Sequence, residues 1–404
     1  MASISERKVP GLLVPAEGRP RFRSERASGL NESVIREMTR LAIQHQAVNL
    51  AQGYPDFPAP DILKRAAIDA IQADINQYSI TWGAKPFRDA ISEKYKRHYQ
   101  LEFDPEREIT VVCGATEGMI ATLTAITNPG DELVVFEPFY ENYGPDSVLC
   151  GCTRKLVSLC PPDWSFDREE LRRAFSSRTK AIILNSPNNP TGRVFNREEL
   201  EYIADLCQEF DAIAVTDEIY EHILYDGARH IPIMNIPGMR HRTVIVNSLS
   251  KTYSVTGWRV GWVLASPDLT DSIRKVHDFF TVGAAHPLQI AGVTALAQPE
   301  EYYTDLAAKY AERRDALLGI LDQVGFRCFR PQGAYYIMAD ISNFGFPDGT
   351  AFAMHMVEHV GIAAVPGSCF FAKSNFGDQI IRFCFPKKPE TLEAAANALR
   401  RLRE

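Results

Sequence analysis

Short, almost unbroken apolar runs punctuate the middle of the chain. Ile109–Val112, Leu133–Phe136, Ala181–Leu184, Ile213–Thr216, Val244–Val246 and Val260–Ala265 are the clearest. Each is short for a helix and lacks the polar alternation of a half-exposed strand. They therefore read as strands of a sheet covered on both faces. The stretches between them have helical texture and start signals. Asp167 with Glu170, and Asn196 with Glu199, are each an N-cap residue followed by an acid at the third helical position. Strands alternating with helices from about 60 to 290 predict a mostly parallel α/β unit. In such a unit, functional groups gather at the carboxyl ends of the strands.

The flanks read differently. Residues 32–46 are expected to be helical, and Pro55, Pro58 and Pro60 then force an open connection. Beyond 300 a long helical stretch, Tyr302–Val324, meets a natural stop at Gly325. A strand near Tyr335–Ala339, a helix near 350–359, a strand at Ile380–Phe385 and a helix over 390–402 follow. The expected organisation is a large domain over 54–299 and a smaller α+β domain, with an N-terminal arm, from 1–53 and 300–404. The first thirty residues carry Arg19, Arg21, Arg23 and Arg26 and little apolar content. They predict an extended arm that lies on a partner surface.

Composition narrows the class. The chain has 404 residues, 45% hydrophobic and 24% charged, which excludes a disordered chain, a collagen and a coiled coil. No apolar run approaches the ~18 residues needed to span a bilayer, and the N-terminus shows no apolar core of signal-peptide length. None of the eight cysteines forms a C-x-x-C pair; reduced thiols in a cytoplasmic protein are expected. A net charge of −7 disfavours a nucleic-acid-binding face. His355, Glu358 and His359 spell H-x-x-E-H, a zinc pattern by its letters. No third ligand is evident, so the run reads as an amphipathic helix and no metal is expected.

A second set of residues carries more chemistry because each member falls at a strand end. Asp217 follows Ile213–Thr216, with Tyr220 three residues on. Asn189 lies in Ser186-Pro187-Asn188-Asn189-Pro190-Thr191-Gly192, after Ala181–Leu184. Ser248 follows Val244–Val246, with Lys251 three residues later and Arg259 eight beyond that. Gly114-Ala115-Thr116-Glu117-Gly118 opens a helix after Ile109–Val112. Taken singly, these are a helix cap, a turn and a surface lysine. Together they form one chemical set. A lysine amine condenses with an aldehyde, and an acid keeps a pyridine nitrogen protonated so that the ring accepts electrons. A helix N-terminus with Ser248 and Arg259 holds a phosphate. The cofactor that combines aldehyde, pyridine and phosphate is pyridoxal 5′-phosphate (PLP).

With these motifs the chain resembles the class I/II aminotransferases of PLP fold type I, the aspartate aminotransferase-like fold. The resemblance runs from Asn49-Leu50-Ala51-Gln52-Gly53 to Ile381-Arg382-Phe383-Cys384-Phe385. Ser248-Leu249-Ser250-Lys251 with Gly257-Trp258-Arg259 is its most specific part. Gln52-Gly53-Tyr54-Pro55-Asp56-Phe57-Pro58 and Asn76-Gln77-Tyr78 resemble the kynurenine, glutamine and methionine branch.

The resemblance implies a homodimer that passes an amino group from an amino acid to a 2-oxo acid by a ping-pong mechanism. It implies that Lys251 binds PLP and moves the substrate proton, and that Asp217 pairs with the pyridinium. Tyr220 and Asn189 are then expected on the ring oxygen and Phe139 on the ring face. The phosphate falls to Ala115, Thr116, Ser248 and Arg259, and Tyr78 reaches the phosphate of the neighbouring subunit. Arg382 takes the substrate carboxylate, with Asn185, Asn189 and Gly53 around it. One departure is Val34 or Ile35, where kynurenine-selective members carry a tryptophan. Trp82 and Tyr54 are expected to form an apolar wall instead, which favours an aromatic, methionine-like or glutamine-like donor. The alternatives are a PLP β-lyase or synthase on the same fold, and an aspartate-type aminotransferase. A non-enzymatic regulator would need a DNA-binding module, for which the first thirty residues are too short.

Overall fold

The structure is a computed structural model and describes residues 22, 24–30, 32–372 and 377–403. Arg19, Arg21 and Arg23 of the expected arm lie outside them. In chain order the strands are β1 (Val48–Asn49), β2 (Ile109–Val112), β3 (Glu132–Glu137), β4 (Thr153–Cys160), β5 (Ser165–Phe166), β6 (Thr179–Asn185) and β7 (Ile213–Asp217). There follow β8 (Thr243–Ser248), β9 (Gly261–Leu264), β10 (Arg327–Phe329), β11 (Tyr336–Asp340), β12 (Ile362–Ala363), β13 (Val365–Pro366) and β14 (Ile380–Cys384).

Eight strands form one sheet in the order β2-β9-β8-β7-β6-β3-β4-β5. From β8 through β4 every pairing is parallel, while β2, β9 and β5 pair antiparallel at the two edges. The apolar runs are explained by burial on both faces. Leu133, Val135, Ala181 and Ile183 pack with Met119, Leu123 and Ile273 on one side. Their neighbours Val134, Phe136, Ile182 and Leu184 pack with Leu200, Ile203 and Ala204 on the other. With two apolar faces, successive residues of a strand are all apolar. Two strands of this sheet escape that signal: β4, whose first half, Thr-Arg-Lys, is partly exposed, and the two-residue β5 at the edge.

The second sheet, β10-β11-β14-β13, is drawn from the C-terminal third and is antiparallel. β1 pairs with β12, which ties the segment entering from the N-terminus to this region. Helix Glu300–Val324 ends at Gly325, whose φ of +106° a side chain would strain. Asn196 and Glu199 form the reciprocal capping box. Asp167 caps as expected, but the Glu170 carboxylate turns away to accept from Ser158. The helix expected near 350–359 runs from Gly349 to His355 and widens into a π-turn over Met356–Val360.

Candidate active site

The parallel strands deliver their last residues to one cavity. In register, Asn185 of β6 lies beside Asp217 of β7, and Asp217 beside Val246 of β8. The cavity is lined by Asn185, Asn189, Asp217, Tyr220, Ser248 and Lys251, together with Ala115, Thr116 and Arg259. Nine of the residues expected from the sequence therefore meet in one place.

The electrostatics are those of groups lacking partners. Lys251 Nζ has one hydrogen bond, to the Gly53 carbonyl at 3.2 Å. Burial lowers its pKa to about 8, against the opposing pull of Asp217. Asp217 is 3% exposed and burial raises its pKa to about 6, while a hydrogen bond from Tyr143 and the Lys251 charge act the other way. The Tyr143 hydroxyl donates to Asp217 Oδ2 at 2.7 Å. The Asn185 side-chain amide donates to the Asp217 carbonyl at 2.9 Å and its oxygen accepts the Asn189 N–H at 2.7 Å. Strand ends and turn are thus locked together.

At the other end of the cavity, helix Ala115–Ile126 begins with Gly114, which offers no side-chain cap. Its first N–H groups are left for a ligand, as at anion sites on helix N-termini. Gly114 has φ +80°, and a Cβ there would lie 2.3 Å from Arg259 Nη2. Only glycine lets that guanidinium close over the helix start.

Arg382, on β14, stands just behind the cavity lining and is 1% exposed. Nη1 donates to Asn189 Oδ1 at 2.9 Å and Nη2 to the Ala51 carbonyl at 2.8 Å. Its Nε is buried with no hydrogen-bond partner. A buried cation with a spare donor suits a carboxylate ligand. Gly53, expected around the same carboxylate, contributes its carbonyl to Lys251 and to the Tyr335 hydroxyl (2.7 Å).

Several expected residues lie elsewhere. Phe139 is not in the cavity; its neighbour Tyr140 is. The Phe139 N–H is tied to the Phe370 carbonyl at 3.0 Å and its ring lies 5.5 Å from the Arg154 guanidinium, which holds it against an adjoining groove. Tyr78 is 84% exposed and does not line this chain's cavity. The expected apolar wall is not formed by Trp82 and Tyr54. The Trp82 ring lies 4.9 Å from the Arg274 guanidinium, and the Tyr54 ring lies 4.9 Å from Lys387 Nζ. His355, Glu358 and His359 do not converge. The one group of potential ligand atoms among the described residues is Glu218, Glu221 and His230, and Lys94 Nζ occupies Glu221 at 2.6 Å. Residues that sequence reasoning missed are Tyr140, Tyr143, Asp146 and Tyr336, all on the cavity wall. The aromatic pair Phe139-Tyr140 after β3 was the only available signal.

A buried lysine, a buried acid without a cation and an open helix N-terminus around one cavity define a site for an aldehyde-bearing, phosphorylated pyridine. The family model for aminotransferase class I and II matches residues 45–399, and the chain belongs to that family. It is 36% identical to a probable N-succinyldiaminopimelate aminotransferase of Mycobacterium tuberculosis, over 92% of this chain and 96% of that protein. It is 35% identical to kynurenine–oxoglutarate transaminase 1 of Homo sapiens, over 94% of this chain and 98% of the relative. A solved methionine aminotransferase of Escherichia coli superposes with a TM-score of 0.90 at 34% identity, covering 95% of this chain and all of that one. The fold is PLP fold type I, and the protein is a PLP-dependent transaminase acting on amino acids and 2-oxo acids.

Proposed function

We propose that this enzyme transfers the amino group of an L-amino acid with an apolar, aromatic, methionine-like or glutamine-like side chain to a 2-oxo acid by a ping-pong mechanism. The observation that carries the reading is that Lys251 and Asp217 line one cavity, Asp217 buried and Lys251 partly so, with no ion pair between them among the described residues. When bound, PLP supplies an aldehyde for amine exchange and a ring that takes up the electron pair left at the substrate α-carbon. Asp217 holds the ring nitrogen protonated, since a buried acid short of a cation favours a cationic partner. Lys251 holds the cofactor and moves the proton at the α-carbon. Asn189 and Tyr220 donate to the ring oxygen. Thr116, Ser248, Arg259 and the Ala115 N–H hold the phosphate. Tyr140, in place of Phe139, lies against the ring. Arg382 binds the α-carboxylate, with Asn185, Asn189 and Gly53 setting its surroundings.

The preference against aspartate has support in the charges. Among the described residues lining the cavity, the cations are Lys251 and Arg259. Lys85 is paired with Asp89 and Arg88 with Glu106. One observation favours a second reading. The adjoining groove shares Thr116, Asn142 and Asp146 with the cavity and holds Arg154, half-buried, with Glu137 as the acid whose charge acts on it. A long donor ending in a carboxylate, such as an N-succinyl amino acid, would place its acid there. Initial rates for methionine, phenylalanine, glutamine, aspartate and an N-succinyl diamino acid against several 2-oxo acids decide. A strong aspartate preference overturns both readings. Turnover without an added 2-oxo acid would instead identify a β-lyase.

The division into a large domain over 54–299 and a small one from 1–53 and 300–404 follows the two sheets. We propose a homodimer in which Tyr78 completes the partner's phosphate site. Tyr78 (84% exposed) and Phe279 (91%) project from the surface, as interface aromatics do. Inactive Lys251 and Tyr78 variants, mixed so that subunits exchange, should recover about a quarter of wild-type activity, because half the dimers carry one intact site. No recovery after proven exchange refutes the shared site. Eight free thiols fit a reducing compartment such as the cytoplasm.

A further inference from the structure

Tyr336 joins two parts of the site that the roles above treat separately. On the antiparallel pair β11–β14, Tyr336 is opposite Cys384 and Met338 opposite Arg382. Tyr336 and Arg382 are therefore diagonal neighbours on one face. The guanidinium carbon of Arg382 stands 4.2 Å from the centroid of the Tyr336 ring, with the Phe370 ring 4.7 Å away. The Tyr336 hydroxyl lies 2.9 Å from the Tyr220 hydroxyl. Room for it is made by Gly53, where a Cβ would stand only 2.1 Å from the Tyr336 oxygen. Tyr336 also lines the cavity.

We infer that Tyr336 is a positioning residue that couples substrate-carboxylate recognition at Arg382 to the hydrogen bond Tyr220 offers the ring oxygen of the cofactor. The inference rests on the reading of the cavity given above. Each phenol has one hydrogen to give, and burial keeps both neutral. Within the pair one oxygen donates and the other accepts. Were Tyr220 the donor, it would have nothing left for the cofactor. With Tyr336 donating, the Tyr220 O–H is free to point into the cavity, and accepting a bond strengthens it as a donor. The far side of the Tyr336 ring is held by Arg382, whose spare Nε awaits the carboxylate. A shift of the guanidinium toward its ligand therefore acts on the tyrosine that orients Tyr220.

Two variants separate hydroxyl from ring. Tyr336→Phe keeps the surface under Arg382 and loses the bond to Tyr220; Tyr336→Leu loses both. The readouts, on PLP-loaded dimer, are the pH midpoint of the cofactor's visible absorbance without substrate, the affinity for 3-phenylpropanoate as an amine-free carboxylate, and kcat. In Tyr336→Phe the weaker Tyr220 donor stabilises a ring oxyanion less. The midpoint should rise by about half a pH unit and kcat fall about fivefold, as for one neutral hydrogen bond. Carboxylate affinity should stay within about twofold. Tyr336→Leu should add a loss of about tenfold in carboxylate affinity, the share of a buried cation–π contact. An unmoved midpoint in Tyr336→Phe overturns the coupling, as does a loss of carboxylate affinity equal to that of the leucine variant. A wild-type protein that gives no visible band with PLP overturns the cofactor reading before any variant is made.

Discussion

Two lysine–acid sets in this molecule share lysines lowered by burial, yet their acids shift in opposite directions. Lys94 and Glu221 form a closed pair: Nζ stands 2.6 Å from Glu221 Oε1, and the Asn247 side chain donates to the same oxygen at 2.5 Å. Burial pushes the Glu221 carboxyl up, but Lys94, His222 and His230 outweigh it and hold its pKa at about 2. Four residues earlier in the chain, Asp217 is equally buried, yet its pKa rises to about 6, and that of Lys251 falls to about 8. The acids are equally buried, and Lys251 is partly buried where Lys94 is fully so. What differs is contact. Lys94 and Glu221 are in direct contact, whereas Lys251 and Asp217 line one cavity with no ion pair between them among the described residues. Burial alone does not make a group reactive; burial with the counter-charge withheld does.

Exchanging the lysines tests that contrast most severely. Lys251→Ala should abolish transamination, by at least about 10⁴-fold, because the attaching amine is gone. Lys94→Met should retain chemistry but melt earlier. It strands Glu221 as an unpaired buried charge, a loss of about 3–5 kcal/mol. Rate assays and thermal melts on both variants decide. A Lys94 variant of normal stability, or an active Lys251→Ala, breaks the distinction.

The acids come next. Asp217→Asn should still bind PLP but lower kcat by about 10²–10³-fold, the scale of a preorganised charge removed from a transition state. Glu221→Gln should chiefly lower the melting temperature by leaving Lys94 unpaired. If the asparagine variant keeps near-normal kcat, Asp217 is a structural cap only.

The reactive set was more legible in the sequence than the closed one, for a physical reason. Asp217, Asn185, Ser248 and Lys251 sit at or just past the ends of apolar strands, so the change from an apolar run to polar letters marks them. Arg382 stands out likewise inside Ile-Ile-Arg-Phe-Cys. Lys94, on the helix Lys85–Tyr99 among other charged residues, looks like a solvated side chain until Glu221 is packed over it. Tyr143 and Tyr336 were missed because aromatic letters near strands read as core. Their hydroxyl partners, Asp217 and Tyr220, are 74 and 116 residues distant. The offset between Phe139 and Tyr140 was invisible for a similar reason: the Phe139 backbone is tied to the Phe370 carbonyl, far along the chain, and its ring lies by Arg154 of the neighbouring strand.

Arg382 extends the comparison to a third buried cation, one with part of its hydrogen-bonding capacity withheld. Arg382→Lys keeps the charge but loses the planar fork. KM for both amino acid and 2-oxo acid should rise about tenfold or more, with a smaller change in kcat, since ground state and transition state share the contact. Steady-state kinetics for two donors with different side chains check this. Equal reactivity of amino acids and of amines lacking a carboxylate in the wild type removes the assignment.

The smallest expected effect sharpens the contrast by titrating it. Capture of PLP by the apo enzyme requires the neutral amine of Lys251. An ordinary lysine titrates at about 10.4, so its capture rate would still be climbing at pH 9.5. With Lys251 lowered to about 8 by burial, the rate should rise from pH 6, reach half its plateau near pH 8 and level off by about pH 9.5. The sign of the Asp217 contribution gives the finer test. The carboxylate raises the Lys251 value, opposing burial. Replacing it by asparagine removes that support, and the half-plateau should move below 8. Stopped-flow absorbance of PLP mixing with apo wild type and apo Asp217→Asn measures both midpoints. An unmoved midpoint in the asparagine variant would mean that the two groups do not sense each other across the cavity. The open pair would then be two isolated groups, and the contrast with Lys94 and Glu221 would rest only on the direct contact within the closed pair.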